Sequence, residues 1–326
     1  MAQTRKVYFN GRYVEESEAR VSIFDSALMY GDMCFEMTRT YKHKPFRLRH
    51  HIERLYAGLK IAEIDCGLTI DDMEKATYDL MEHNKDCFTE DMDIQIMHNV
   101  SRGPLPIYES VFEHGLEPTV TINTWPLITH MAGSADKYEN GIHSVIVPQQ
   151  SVPARILDPK IKNRSRMFYQ MANLQAERLE PGASALLTDE DGFITEGTGN
   201  NFFIVKNGEL YTPEGRNILR GVSRGAVIDI AKELGIPCHE TNLETYDVNA
   251  ADEAFITSTT VFAVPVTRFN FQPVGDGKVG PMVKSITDAF SEQVGVDIVA
   301  QAKQYKNDLE SYQKAIQLKP DYADCL

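Results

Sequence analysis

The chain has 326 residues, 42% hydrophobic and 25% charged, with 33 basic against 47 acidic side chains and a net charge of −14. These proportions belong to a globular chain of about two domains and exclude a disordered chain, a collagen-like fibre and a disulfide scaffold. So acidic a composition repels phosphate backbones, which excludes general nucleic-acid binding and leaves room only for a local basic pocket that takes a small anion.

Residues 7–14 (VYFNGRYV) alternate around Asn10-Gly11, a hairpin signal. Residues 29–41 (MYGDMCFEMTRTY) read as a β-prone stretch. Residues 48–64 place Ile52, Leu55, Leu59 and Ile61 near helical spacing, and 70–83 form a second amphipathic helix. Strands follow at 94–100 and 119–124, and the first half, residues 1–128, is therefore an α+β domain. Residues 129–141 are polar, small and poorly periodic, and are expected to form an interdomain loop. The second domain, 142–300, alternates strand 143–148, helix 165–179, strands 185–188 and 201–205, helix 223–234, strand 254–257 and a helix from about 281. That alternation predicts an α/β layer or an irregular barrel. Residues 301–326 form a polar helical tail. In it Tyr312, Ala315 and Pro320 fit the spacing that closes a tetratricopeptide repeat, and fit an ordinary amphipathic tail helix equally well. The repeat reading would make the tail a continuation or a partner surface.

No apolar run is long enough for a membrane span, and the N-terminus has no apolar signal region. Cys34, Cys66, Cys87, Cys238 and Cys325 are scattered and odd in number, as reduced thiols of a cytoplasmic protein are. The chain has no CxxC, HExxH or GxxxxGK[ST], so neither a zinc site nor a P-loop is expected.

Four stretches carry candidate chemistry. Residues 221–225 (GVSRG) match the G-x-S-x-G nucleophile elbow of hydrolases, but a turn-rich loop precedes them and His239 is the only histidine after Ser223. The same residues make a helix start, whose Val222 and Ser223 N–H groups and dipole suit a phosphate. Residues 257–260 (TSTT) offer hydroxyls after a strand, as a second phosphate contact or a polar turn. Residues 160–166 (KIKNRSR) invert the local charge. Neighbouring cations lower a lysine's pKa, which suits a Schiff-base nucleophile, although a solvated basic loop looks the same. Glu196 stands in a turn between two strand-like runs, where a surface glutamate is also common.

In their order from about residue 6 to 294, the stretches YFNGRYV, YGDMCFEMTR, FRLRHHIERL, DPKIKNRSR, DEDGFITEGTGNNFFIVKNGELYTP, ILRGVSRGAVIDIAKELGI and ADEAFITSTTVFAVPV resemble the class IV (fold type IV) pyridoxal-phosphate enzymes. These are the branched-chain, D-amino-acid and (R)-amine aminotransferases and aminodeoxychorismate lyase. The resemblance implies a small α+β domain, a larger α/β pseudo-barrel domain and, usually, a homodimer. It implies that Lys162 carries pyridoxal 5′-phosphate, that Glu196 bonds the pyridine nitrogen, and that Leu219 packs on the ring. Arg54, Val222, Ser223 and Thr259 would hold the phosphate. It further implies ping-pong transfer of an amino group from a donor to a 2-oxo acid.

For the substrate, Phe35, Glu36 and Arg39 agree with the branched-chain Phe-Glu-Gly-x-Arg pattern, while Met37 replaces its glycine. The tyrosine expected shortly after the lysine is missing, with Arg166 and Met167 in that region. Ser101-Arg102-Gly103-Pro104 is closer to the D-amino-acid and lyase relatives, and residues 277–290 are similar to the (R)-amine enzymes. Tyr30, Phe35, Met37, Arg39, Arg102 and Thr260 are the substrate candidates, with Arg39 and Arg102 either holding a carboxylate or serving the fold.

Overall fold

The computed structural model describes residues 4–112 and 115–318, and for 311–318 the course of the helix alone. It divides into two units. The first runs to Leu127 and includes the segment Ile161–Arg166. The second comprises Ile128–Lys160 and Met167–Leu318.

In the first unit, Asn10 and Gly11 both take positive φ, 41° and 82°, and close a hairpin of β1 (Lys6–Phe9) and β2 (Arg12–Glu15). After it come α1 (Ser26–Tyr30), β3 (Met33–Tyr41), β4 (Lys44–Pro45), α2 (Leu48–Ile61), α3 (Ile70–His83), β5 (Ile94–Ser101) and β6 (Thr119–Pro126). The strands form one antiparallel sheet in the order β2-β1-β6-β5-β3-β4. Helices α2 and α3 cover one face, where Ile52, Leu55, Leu59, Met73 and Leu80 meet Ile96, Val100 and Ile122. Met29 and Tyr30, read above as strand, are helical. Asp25 caps α1 by accepting from the Ala27 N–H, and Gly31 closes it at φ 69°, so β3 cannot begin before residue 33.

The covered face also buries charge-capable groups. His98, opposite Glu36 in the β3–β5 register, is fully buried against Thr77 of α3. The Thr77 hydroxyl donates to the Met73 carbonyl, so His98 must donate to it from Nε2 and keep Nδ1 unprotonated. Burial pushes His98 down from 6.5 to about 4, opposed by Glu36 and reinforced by His51. Because the folded value lies below the unfolded one, the unfolded chain binds more protons between those limits, and stability falls as pH drops from 6.5 toward 4. The expected slope is about 1.4 kcal/mol per pH unit in that window. Urea midpoints measured from pH 7.5 to 4 should show it, and a His98→Gln chain should be less steep by that amount, keeping the share of the likewise lowered His51. An equally steep wild type and variant would refute the assignment to His98.

The second unit contains α4 (Ile128–Met131), α5 (Ala135–Asn140), β7 (Ile142–Ile146), α6 (Met167–Leu179), β8 (Ser184–Thr188), β9 (Ile194–Gly197), β10 (Asn201–Lys206), β11 (Glu209–Pro213), α7 (Val222–Glu233), β12 (Cys238–Thr241), α8 (Thr245–Asn249), β13 (Glu253–Ser258), β14 (Phe262–Phe269), β15 (Gln272–Pro273), α9 (Pro281–Val294) and α10 (Ile298–Leu318). Its sheet runs β12-β11-β10-β13-β14-β7-β8-β9, with β15 added along β14. Parallel pairs (β14–β7, β7–β8, β11–β12) mix with antiparallel ones, and a Gly197 N–H bond to the Asn200 carbonyl turns β9 back beside β10 so that the sheet curls.

Residues 129–141 differ from the expected loop. They fold as short helical turns that bury Met131, Ala132, Ala135 and Tyr138. Their packing partner is α10, which buries Ile298, Ala302 and Tyr305 at helical spacing and pairs Lys303 with Glu139 and Lys306 with Asp136. Thus the helix containing the expected tail begins three residues before Gln301 as a packed part of the unit. The side chains of Tyr312 and Ala315, and Pro320 altogether, lie outside the described residues. Among those described, no helix is long and apolar enough to cross a membrane, and no group of His, Cys, Asp or Glu is arranged to hold a metal ion.

Candidate active site

The basic run 160–166 takes two different environments. Lys160, in the second unit, pairs with Asp158 and donates to the Arg216 carbonyl. Residues 161–166 instead extend the first unit's sheet along the edge of β3 that β4 leaves open. The Phe35 N–H donates to the Lys162 carbonyl at 2.9 Å, the Arg164 N–H donates to the Met33 carbonyl at 2.9 Å, and Asn163 bridges Cys34. Strand alternation then sorts the side chains. Ile161 goes under α2, against Gly58. Lys162 and Arg164 share the uncovered face with Phe35, and the Lys162 Nζ lies 4.7 Å from the Phe35 ring centroid. The guanidinium carbons of Arg164 and Arg166 stand 3.7 and 5.3 Å from the same ring, an aromatic platform under three cations.

By the same alternation Met37 and Arg39 lie on this face. Arg39 is buried, stacks on Tyr41 at 3.9 Å and donates to the Thr40 carbonyl. Arg102 donates to Asp32 and to the carbonyls of Ala62 and Glu63. These contacts tie both arginines to neighbouring residues of the first unit. Tyr30 is exposed at the end of α1, and its carbonyl accepts from the Ser165 hydroxyl.

Arg54 is on the covered side of β3, not with Phe35. Its Nε donates to Glu36 Oε1 at 2.6 Å and its Nη2 to Oε2 at 2.8 Å, while His51 Nδ1 reaches Oε2 at 2.7 Å. Burial by itself would raise the Glu36 carboxyl, but the charge of Arg54 and the bonds from His51 and Arg54 hold it well below the usual carboxylate range. His51 is lowered by its own burial, against the pull of Glu36, and the charges of Arg54 and Lys162 add to that lowering. With Glu36 ionised and His51 neutral, Nδ1 carries the proton and donates it.

In the second unit Asn201 is the hub. Glu196, at the end of β9 and 4% exposed, accepts from the Tyr169 hydroxyl at 2.8 Å, from Asn201 Nδ2 at 3.1 Å and from the Leu219 N–H at 3.0 Å. Asn201 Nδ2 also donates to the Leu219 carbonyl. A Cβ built on Gly221 would stand 2.1 Å from Asn201 Oδ1, so only glycine permits this approach. Gly221 is the N-cap of α7 and offers no side-chain cap, so the first N–H groups of the helix, those of Val222 and Ser223 among them, have no intrahelical partner. Across the β10–β13 register Asn201 faces Thr257, whose buried Oγ1 has no hydrogen-bond partner. The turn that follows holds Thr259 and Thr260, half-buried. It is pinned by Phe262, whose backbone is left-handed at φ 57° and whose ring stacks on Phe290 at 3.6 Å.

The structure therefore gathers Glu196, Leu219, Val222, Ser223 and the Thr259–Thr260 turn in one unit, and Lys162, Phe35 and Met37 on one face of the other. The sequence reading missed three supports. Tyr169 lies in the first turn of α6, past the region searched for a tyrosine. Asn201 begins a strand inside the 189–213 stretch, and the sequence marks its amide for no role. The Glu36–His51–Arg54 set joins a strand to a helix, and the i, i+3 spacing at the start of α2 brings those two side chains onto the strand.

A family model, amino-transferase class IV, matches residues 33–269. A putative branched-chain-amino-acid aminotransferase of Methanocaldococcus jannaschii is 35% identical over 297 residues, covering 88% of this chain and 96% of that protein. A D-alanine aminotransferase of Bacillus licheniformis is 30% identical over 290 residues, covering 89% and 97%. Among solved structures, a branched-chain amino acid aminotransferase of Escherichia coli superposes with a TM-score of 0.79 at 28% identity, covering 89% of this chain and 94% of that one.

Proposed function

The chain belongs to the class IV aminotransferases, a fold type IV family, and we propose that it uses pyridoxal 5′-phosphate to move an amino group from a branched-chain-like amino acid to a 2-oxo acid by a ping-pong scheme, as a homodimer. The observation that carries this reading is the setting of Glu196. A buried carboxylate that accepts from three donors is the partner a protonated pyridine nitrogen needs.

The other residues fit the same group. The uncapped start of α7 and the hydroxyls of Ser223 and Thr259 make up a donor set for a phosphate. Thr257 adds a buried hydroxyl with no protein partner. Arg54 would bring a guanidinium to the phosphate, and the half-buried Leu219 would lie against the ring. The cofactor, when bound, supplies an electron sink for the pair released at the substrate Cα. Lys162 would hold it covalently and then, once displaced by the donor, take the Cα proton on Nζ. Arg164 and Arg166 stand over the same Phe35 ring as that amine. Exposed apolar side chains of the first unit, Ile23, Leu28 and Ile107, offer a surface for a second copy.

Met37 supports a second substrate reading. It puts a long side chain on the Phe35 face where the branched-chain pattern has glycine, and one relative acts on D-alanine by its name. A D-amino-acid or (R)-amine donor then replaces the branched-chain one, and a lyase of the aminodeoxychorismate type is the remaining alternative. Mixing the cofactor-loaded enzyme with L-leucine, D-alanine or (R)-1-phenylethylamine, without acceptor, decides among them. The true donor class bleaches the visible cofactor band within one turnover. Pyruvate release from aminodeoxychorismate without an acceptor would establish the lyase, and no response to any donor would refute the aminotransferase reading for all three classes.

A further inference from the structure

We propose that Glu36 is a positioning residue for phosphate recognition: with His51 it fixes the plane of the Arg54 guanidinium. The inference rests on the reading of Arg54 as a phosphate ligand and deepens it.

The carboxylate takes the Nε and Nη2 edge of Arg54 in a fork, at 2.6 and 2.8 Å, and is itself steered by the His51 bond to Oε2. Glu36 and His51 are both buried to within 1%. A guanidinium is planar and rigid, so two bonds on one edge set the direction of all its remaining N–H bonds. Without that fork a long, part-buried arginine would have to be ordered by the phosphate itself, and the lost rotamer freedom would weaken binding. The neutral His51 is part of the device. A protonated histidine would add a third charge to the pair, whereas the neutral ring orients Oε2 and leaves Glu36 and Arg54 balanced.

A carboxylate near a phosphate also repels it, so the sign of the effect is itself a test. The experiment compares apoenzyme binding of pyridoxal phosphate with binding of pyridoxal, which lacks the phosphate, by equilibrium dialysis. Positioning predicts that Glu36→Gln lowers the ratio of the two affinities about tenfold, the worth of one charge-assisted hydrogen bond, and leaves pyridoxal binding unchanged. A general loosening of the fold would weaken both ligands together and overturn the proposal. A ratio that stays level, or rises because a competing anion has gone, would overturn it too. Should Glu36→Gln fail to fold, Arg54→Lys keeps a cation beside the buried carboxylate but cannot form the fork. Positioning predicts the same tenfold fall, and a preserved ratio would show that charge alone suffices. Arg54→Met separates the two layers of argument. If it leaves the ratio at the wild-type value, Arg54 does not meet the phosphate. If it lowers the ratio while Glu36→Gln and Arg54→Lys do not, Arg54 meets the phosphate and the positioning by Glu36 is wrong.

Discussion

Lys162→Ala is expected to lower the rate of amino transfer by about 10⁴-fold, the upper end of what one positioned acid–base group supplies. The size of the effect follows from the neighbours. Arg164 and Arg166 share the Phe35 platform with Lys162, but a guanidinium stays protonated at any working pH and cannot accept the Cα proton in its place. The backbone of residue 162 is held by its carbonyl bond to Phe35 and not by its side chain, so the alanine chain should fold normally. Two measurements check this. Single-turnover rates with saturating donor should collapse, and the visible band of the bound cofactor should shift, because the covalent link is gone. A band indistinguishable from wild type would sink the assignment of Lys162.

Glu196→Gln is expected to cost two things at once. Ordinarily this exchange is close to neutral in shape. Here Oε2 receives Asn201 Nδ2 and the Leu219 N–H, and Oε1 receives the Tyr169 hydroxyl. With its NH2 toward Oε2's place the amide would meet two donors, so its oxygen must face Asn201 and Leu219 and its NH2 must face Tyr169, whose hydroxyl then reverses and accepts. The fold should lose about 1 kcal/mol, the difference between hydrogen bonds to a carboxylate and the neutral ones that replace them. Turnover should fall about 10²–10³-fold, as when one preorganised electrostatic partner is removed. Thermal unfolding of the apoenzyme reads the first and kcat/KM the second. Near-normal turnover in a chain that has lost stability would show Glu196 to be architectural and overturn its role at the ring nitrogen.

Much of the framework follows from local chemistry that a sequence displays. Asn10-Gly11 can hardly do other than turn a hairpin, and the apolar spacing of 70–83 gives α3 its observed ends. The helix start was readable within 221–225, although the sequence places the cap at Ser223 and the structure places it at Gly221, with the helix from Val222; the basic run at 160–166 stood out because the chain is otherwise acidic. The errors have a common cause, which is that burial is decided by partners far along the chain. Residues 129–141 look like a loop until α10, a hundred and fifty or so residues later, supplies an apolar face. Strand β14 is absent from the sequence reading, and its Pro265, a residue that ordinarily argues against a strand, sits opposite Phe255 in the interior of the sheet. At the site the residues with motif character were found, and their supports were not. Tyr169, Asn201 and His51 are ordinary letters whose importance lies in the hydrogen bond each makes, and register and helix phase decide those bonds.

The edge segment 161–166 also sets an order of events. The amide of Phe35 and the carbonyl of Met33 acquire partners from Lys162 and Arg164, after the chain has made an excursion, Ile128–Lys160, into the other unit. On the ribosome, the first unit therefore waits with an open strand edge until residues of the second have been made. An exposed edge of that kind invites wrong pairing. The lysine thus arrives as the closing piece of a sheet begun more than a hundred residues earlier. A chain cut at residue 127 would keep most of one core but lose both the strand that seals it and the residue on which the chemistry is expected to turn.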